Sequence, residues 1–215
     1  MLVETEQILK AWDWVMQVWL RLICYINIPV RRECCMRDIA NIDKNFAVQT
    51  KIEKDDIRFY TIDEAPFRIY GIYKEKEKYR RMPEDIAKTI SDGVYGLHAN
   101  TAGGRVRFVT DSSYIVIHAV MDNIGKMPHF PLTGSAGFDL YVDNTYKKTF
   151  VPPFDIENGY ESIIDLKSKE NREITINFPL YSDVKELFIG LQNDAQLKEA
   201  KPYKSKKPVV YYGLL

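Results

Sequence analysis

From residue 57 onward, apolar and polar positions alternate with a period of two. Ile174, Ile176 and Phe178 share one face of such a run and Thr175 and Asn177 the other, the pattern of a strand buried on one side. Similar runs predict strands at 57–62, 67–73, 105–109, 114–121, 138–142, 146–151, 173–178, 186–191 and 209–212. Between two of them, Thr110-Asp111-Ser112-Ser113 reads as a hairpin turn. One inserted helix is predicted at 84–91: Pro83 suits its first position, Glu84 and Asp85 complement its N-terminus, and Gly93 offers a stop. Many short strands with frequent turns favour a β-sandwich or jelly roll over alternating α/β.

The first 44 residues have a different texture. Asp13, Gln17 and Arg21 recur every four residues and form one stripe of an amphipathic helix. The apolar stretch 8–28, with Trp12, Trp14 and Trp19, is interrupted by Lys10, Asp13 and Arg21. An Asp or Arg at mid-bilayer costs roughly 2.5–3.5 kcal/mol, which argues against a membrane span. The stretch has neither the basic flank nor the cleavage site of a signal peptide. The expected class is therefore all-β, a jelly-roll-like β-sandwich with an extra N-terminal helical segment and one short inserted helix. Its expected divisions are a helical extension at 1–44, a sandwich at 45–200, and a linker with a further strand at 201–215. The lysine-rich tract 198–207, with Pro202 and Pro208, reads as that linker.

Composition narrows the function. Lys+Arg and Asp+Glu balance at 30 each, so no charge excess points to nucleic acid or an anionic membrane. The 14 tyrosines and 10 phenylalanines suit a sheet. Cys24, Cys34 and Cys35 form neither a disulfide framework nor a zinc pattern, which leads us to expect reduced thiols and a cytoplasmic protein.

Candidate chemistry is sparse. Gly134-Ser135-Ala136-Gly137 approaches the G-x-S-x-G nucleophile elbow, but Thr133 stands where its first glycine belongs and a strand follows instead of a helix. The two glycines instead suit a tight loop entering that strand. His118 alternates with Ile117 and Ala119, so it faces solvent or a polar partner. His98 precedes the Gly103-Gly104 turn, and His129, between Pro128 and Pro131, sits in a stiffened loop that presents a side chain. None of the three has a neighbour at metal-ligand spacing, so no metal or other cofactor is expected. Asp139 points away from both Phe138 and Leu140. Its carboxylate accepts backbone N–H groups of the glycine-rich loop or hydrogen-bonds sugar hydroxyls. Arg105 and Arg107, with Asp111 nearby, form a surface ion-pair group or the floor of a polar groove. Tyr141, Tyr146, Phe150, Phe154 and Tyr160 are core residues or stacking surfaces for sugar rings.

The pentapeptide Gly137-Phe138-Asp139-Leu140-Tyr141 carries a resemblance to a family. So do Arg80-Arg81-Met82-Pro83, Gly93-Val94-Tyr95, the run from Asn100 to Phe108, Tyr160-Glu161-Ser162-Ile163-Ile164, the run from Ile174 to Tyr181, and Val209-Val210-Tyr211-Tyr212-Gly213. In that order they resemble the N-terminal GxDLY domain of SGNH (GDSL-type) hydrolases, over roughly residues 46–213. The resemblance implies a jelly roll preceding an α/β/α esterase domain, with acyl esters, often of carbohydrates, as substrates. In the family the last strand runs on into Gly-Ser-Ser-Ile-Thr with the nucleophilic serine, whereas Leu214 and Leu215 follow Gly213 here. The resemblance thus implies no catalytic residue in this chain, and its implied partners are an SGNH catalytic domain and a glycan or acylated carbohydrate. His129, Ser135 and Asp139 are the candidates for the substrate rim. A stand-alone carbohydrate-binding sandwich is the alternative.

Overall fold

The computed structural model describes residues 50–205. The helical reading of 1–44, its cysteines and tryptophans, and the strand expected at 209–212 lie outside them. The described residues form an all-β, jelly-roll-like sandwich. Its strands are β1 (Ile57–Thr61), β2 (Arg68–Tyr70), β3 (Tyr73–Glu75), β4 (Lys78–Arg80), β5 (Arg105–Thr110), β6 (Tyr114–Ile124), β7 (Phe138–Val142), β8 (Thr145–Phe150), β9 (Gly159–Asp165), β10 (Arg172–Asn177), β11 (Ser182–Gln192) and β12 (Leu197–Lys198). Three short helices accompany them: α1 (Glu84–Ile90), α2 (Asp92–Leu97) and α3 (Leu132–Ala136).

One sheet has four strands in the order β1-β11-β6-β9. The other runs β12-β5-β10-β7-β8, with β2 also paired to β5, and every pairing in both sheets is antiparallel. The small β3–β4 hairpin stands apart. From β8 to β12 each successive strand changes sheet, so the core forms between the two inner faces. Val106, Phe108, Ile174, Ile176, Phe138, Leu140 and Phe150 from the larger sheet meet Ile115, Ile117, Met121, Leu187, Ile189 and Leu191 from the smaller. All are at most 1% exposed, and burying an aliphatic or aromatic side chain of this size stabilises by about 1.5–3 kcal/mol.

Several sequence expectations need correction. Thr110-Asp111-Ser112-Ser113 is a corner between sheets, because β5 pairs with β10, β2 and β12 while β6 pairs with β11 and β9. Local hydrogen bonds redirect the chain there: Ser112 N donates to Thr110 Oγ1 at 3.2 Å, and Ser112 Oγ donates to the Tyr114 carbonyl at 2.6 Å. The run at 67–73 is split by Gly71, whose φ of +78° breaks the strand and whose missing Cβ admits the Gly103 carbonyl. The single helix expected at 84–91 is followed by a second. Ser91 ends α1 and caps α2 by accepting from Val94 N at 3.2 Å, so Gly93 lies inside a helix. Strand β9 escapes a simple alternation count because only Tyr160 and Ile164 are buried along it.

The start of the lysine-rich tract is not a free linker. Lys198 belongs to β12, Ala200 is 2% exposed, and the Lys201 carbonyl accepts from Arg107 Nη1 at 2.9 Å. No helix among the described residues is long and apolar enough to cross a membrane.

Candidate functional site

Strand pairing builds the site on the outer face of the six-stranded sheet. Arg105 lies opposite Asn177, Asn177 opposite Asp139, and Asp139 opposite Thr149, a polar row across β5, β10, β7 and β8. At the end of this row the loops form a cavity of about 370 Å³. Its walls include Gly103, Gly104, Pro131, Thr133, Gly134 and Gly137, with Phe178 and Leu180 as the apolar side.

The signature pentapeptide supplies one wall, and each of its residues has a physical task. A side chain on Gly137 would place a Cβ 2.2 Å from the Thr133 carbonyl oxygen and 2.9 Å from Thr149 Cγ2, so only glycine lets α3 close onto β7. The Gly137 amide donates to that carbonyl at 3.1 Å. Phe138 and Leu140 are fully buried in the core. Asp139 Oδ1 accepts from Thr149 Oγ1 at 2.6 Å, and that hydroxyl is also bonded to Tyr146 Oη at 2.9 Å. Tyr141 meets Tyr146 edge to face at 5.7 Å. Behind the loop, the buried Tyr160 hydroxyl donates to the Phe150 carbonyl at 2.7 Å and the Ala136 carbonyl at 3.3 Å, and burial raises its pKa.

Of the three rim candidates, Asp139 alone lines the cavity. Ser135 is fully buried with its hydroxyl on the Leu132 carbonyl at 3.3 Å, which removes it from the rim. Its own carbonyl accepts from Tyr181 N and Ser182 Oγ, so the residue pins the β10–β11 loop. His129 is exposed in the turn bridged by Met127 and Phe130, beside the cavity's loop but outside its lining. Asp139, expected to bind loop amides or sugar hydroxyls, has the hydroxyl of a neighbouring strand's Thr149 on Oδ1.

Other candidates resolve into structure. His118 has its polar partner: Nδ1 donates to Glu161 Oε1 at 2.6 Å, between the rings of Phe59 and Phe188. His98 stacks on Tyr95 and bonds Arg80. Arg107 pairs with Glu173 instead of Asp111, whose Oδ1 accepts from Gln196 N at 2.7 Å. Phe150 and Tyr160 are buried, while Phe154 is 93% exposed. Among the described residues no three His, Cys, Asp or Glu side chains converge as a metal site.

Reading one strand at a time does not reveal Thr149, Asn177 or the paired glycines as site residues. The available signal is phase, because Asp139 and Asn177 both fall on the polar side of their strands.

The C-terminal end of the described chain also reaches this face. Tyr203 lies over the Arg107 guanidinium at 4.2 Å and meets Tyr70 edge to face at 4.8 Å, while its hydroxyl is 3.5 Å from Arg105 Nη1. Hydroxyl, amide, carboxylate and guanidinium groups therefore converge on a concave surface that holds no histidine or lysine base. The arrangement can bind a polar ligand through several hydrogen bonds.

The family of this fold and motif is shown by comparison. The chain belongs to the GxDLY family, the N-terminus of SGNH hydrolase-type esterases, whose model matches residues 57–197. No curated protein sequence matches it. Among solved structures it is similar to a GDSL-like lipase from Bacteroides ovatus, with TM-score 0.60 and 24% identity over 68% of this chain and 44% of that one. It is also similar to the salicylyl-acyltransferase SsfX3 of a tetracycline biosynthetic pathway, with TM-score 0.54 and 18% identity over 70% of this chain and 44% of that one. At such identities the likeness shows the fold. The chain spans less than half the length of these structures.

Proposed function

We propose that this chain is the substrate-recognition domain of an SGNH ester hydrolase acting on an acylated carbohydrate. Catalysis in this reading belongs to a partner SGNH catalytic domain. The observation that carries it is the meeting of the motif-bearing loop and the polar row around one cavity, with Tyr203 reaching one of its lining residues, Arg105. Such a cavity would hold the sugar beside the domain that follows in longer relatives. The burial of Ser135 supports a binding role over a hydrolytic one, since a nucleophile needs a base within hydrogen-bond reach. The cysteine pattern supports a cytoplasmic location.

The test joins the chain to the catalytic domain of an SGNH relative. Asn177→Ala is expected to reduce turnover of an acetylated oligosaccharide about tenfold, the order expected for losing a hydrogen bond to substrate. Turnover of nitrophenyl acetate, which is too small to need the cavity, is expected to stay unchanged. Equal effects on both substrates, or none, would overturn the reading. Binding of the sugar by the unfused chain, with no effect of the variant in the fusion, would favour a stand-alone module.

A further inference from the structure

The charges around the cavity divide unevenly. Of its lining residues Arg105 alone is cationic and Asp139 alone anionic, and they stand on either side of Asn177. Two strand spacings separate them, about 9–10 Å. Asp139 is bonded to Thr149 through Oδ1. Arg105 differs from the other arginines of this sheet. Arg68 pairs with Glu199 at 2.6 Å, Arg107 with Glu173, and Arg172 with Glu170 at 3.4 Å. Among the described residues no carboxylate pairs with Arg105, and its polar neighbour is the Tyr203 hydroxyl at 3.5 Å. A half-buried guanidinium in a concave site, with no carboxylate of its own, is suited to a carboxylate brought by a ligand.

Resting on the carbohydrate-facing reading above, we infer that the cavity selects an acidic sugar, a uronic acid. Its carboxylate would meet Arg105 and its ring hydroxyls Asn177 and Asp139. Asn177 can donate and accept, and Asp139 accepts from a hydroxyl, so both suit the neutral end of such a ring. Reversal of the ligand would set its carboxylate against that of Asp139, so the charge pair also fixes orientation.

Titration of the full chain with methyl glucuronide and with methyl glucoside, followed by amide chemical shifts of the cavity residues, tests this. The glucuronide is expected to bind about tenfold more tightly than the glucoside, as for one added charge-assisted hydrogen-bond pair. Added salt should weaken the glucuronide and leave the glucoside unaffected. Arg105→Gln should bring the two affinities together. Equal affinities for the wild-type chain would overturn the inference while leaving the carbohydrate reading standing. If neither sugar shifts the cavity amides, the reading beneath it falls as well. Should Arg105→Gln fail to fold, the two-sugar comparison and its salt dependence decide the matter on the wild-type chain alone.

Discussion

The outer faces of the four-stranded and six-stranded sheets carry opposite chemistry. On the four-stranded sheet, Phe59, Tyr114, Val116 and Phe188 form a second buried apolar cluster, with Ile52, Ile57 and Ile163 packed against it. Its polar pair is fully committed: Glu161 binds His118 through Oε1, and through Oε2 it accepts from Thr50 Oγ1 at 3.1 Å and Lys51 N at 2.8 Å. On the six-stranded sheet the outward rows are polar, the carboxylate has one bond, and an arginine lacks a carboxylate. A face that ends in closed networks serves stability. A cavity adjoins each face, of about 860 Å³ beside His118 and Glu161 and of about 370 Å³ beside Asp139, so the difference lies in the hydrogen-bonding capacity left for a ligand.

This contrast breaks most directly under truncation. Phe188→Ala is expected to cost about 3–4 kcal/mol, the usual loss for a buried phenylalanine. Asn177→Ala on the opposite face is expected to stay within about 0.5 kcal/mol. Urea denaturation with an unchanged m-value measures both. Comparable losses would show that the polar row is a folding element and not a reserved surface.

Alkaline titration sharpens the same comparison from the apolar side. Burial raises the Tyr114 pKa above its ordinary value of 10, helped by the bond from its hydroxyl to Asp56 Oδ1 at 2.9 Å. Above pH 10 the unfolded chain therefore releases a proton that the folded chain keeps, and stability falls as pH rises. The loss grows from about half of the limiting slope at pH 10 toward at most about 1.4 kcal/mol per pH unit from this one group, less as solvent screens it. Tyr114→Phe should remove that share of the slope between pH 10 and 11.5 while costing about 1 kcal/mol at neutral pH through the lost hydrogen bond. An unchanged slope would mean the phenol is not held protonated by the fold.

Much of the fold was legible because period two is a local signal. Strand β7 matches its expected bounds, and β1, β5, β8 and β10 differ by a residue at one or both ends. What failed was pairing. Nothing in Thr110-Asp111-Ser112-Ser113 distinguishes a hairpin from a sheet-to-sheet corner, because the choice rests on distant partners of β5 and β6. The site was half legible for the same reason. Asp139 stood out through its motif, but the row from Arg105 to Thr149 joins residues brought level only by strand register. Ser135, a rim candidate, is buried, while the tight-loop reading of its neighbouring glycines fits Gly137, whose close approach to the Thr133 carbonyl excludes a side chain.

The smallest expected effect compares the two carboxylates directly. Glu161→Gln keeps one oxygen for the Thr50 and Lys51 donors and turns its amide N–H₂ toward His118 Nδ1, which must switch tautomer to accept. The expected cost is about 1–2 kcal/mol, with faster hydrogen exchange at the Lys51 amide, which donates to that carboxylate. Asp139→Asn retains an oxygen for the Thr149 hydroxyl and can turn its N–H₂ to the cavity, so the cost should be about 0.5 kcal/mol or less. The two urea midpoints settle the order. If Asp139→Asn proves the costlier change, the signature aspartate is chiefly a structural clasp between β7 and β8, and recognition at the cavity would rest on Arg105 and Asn177.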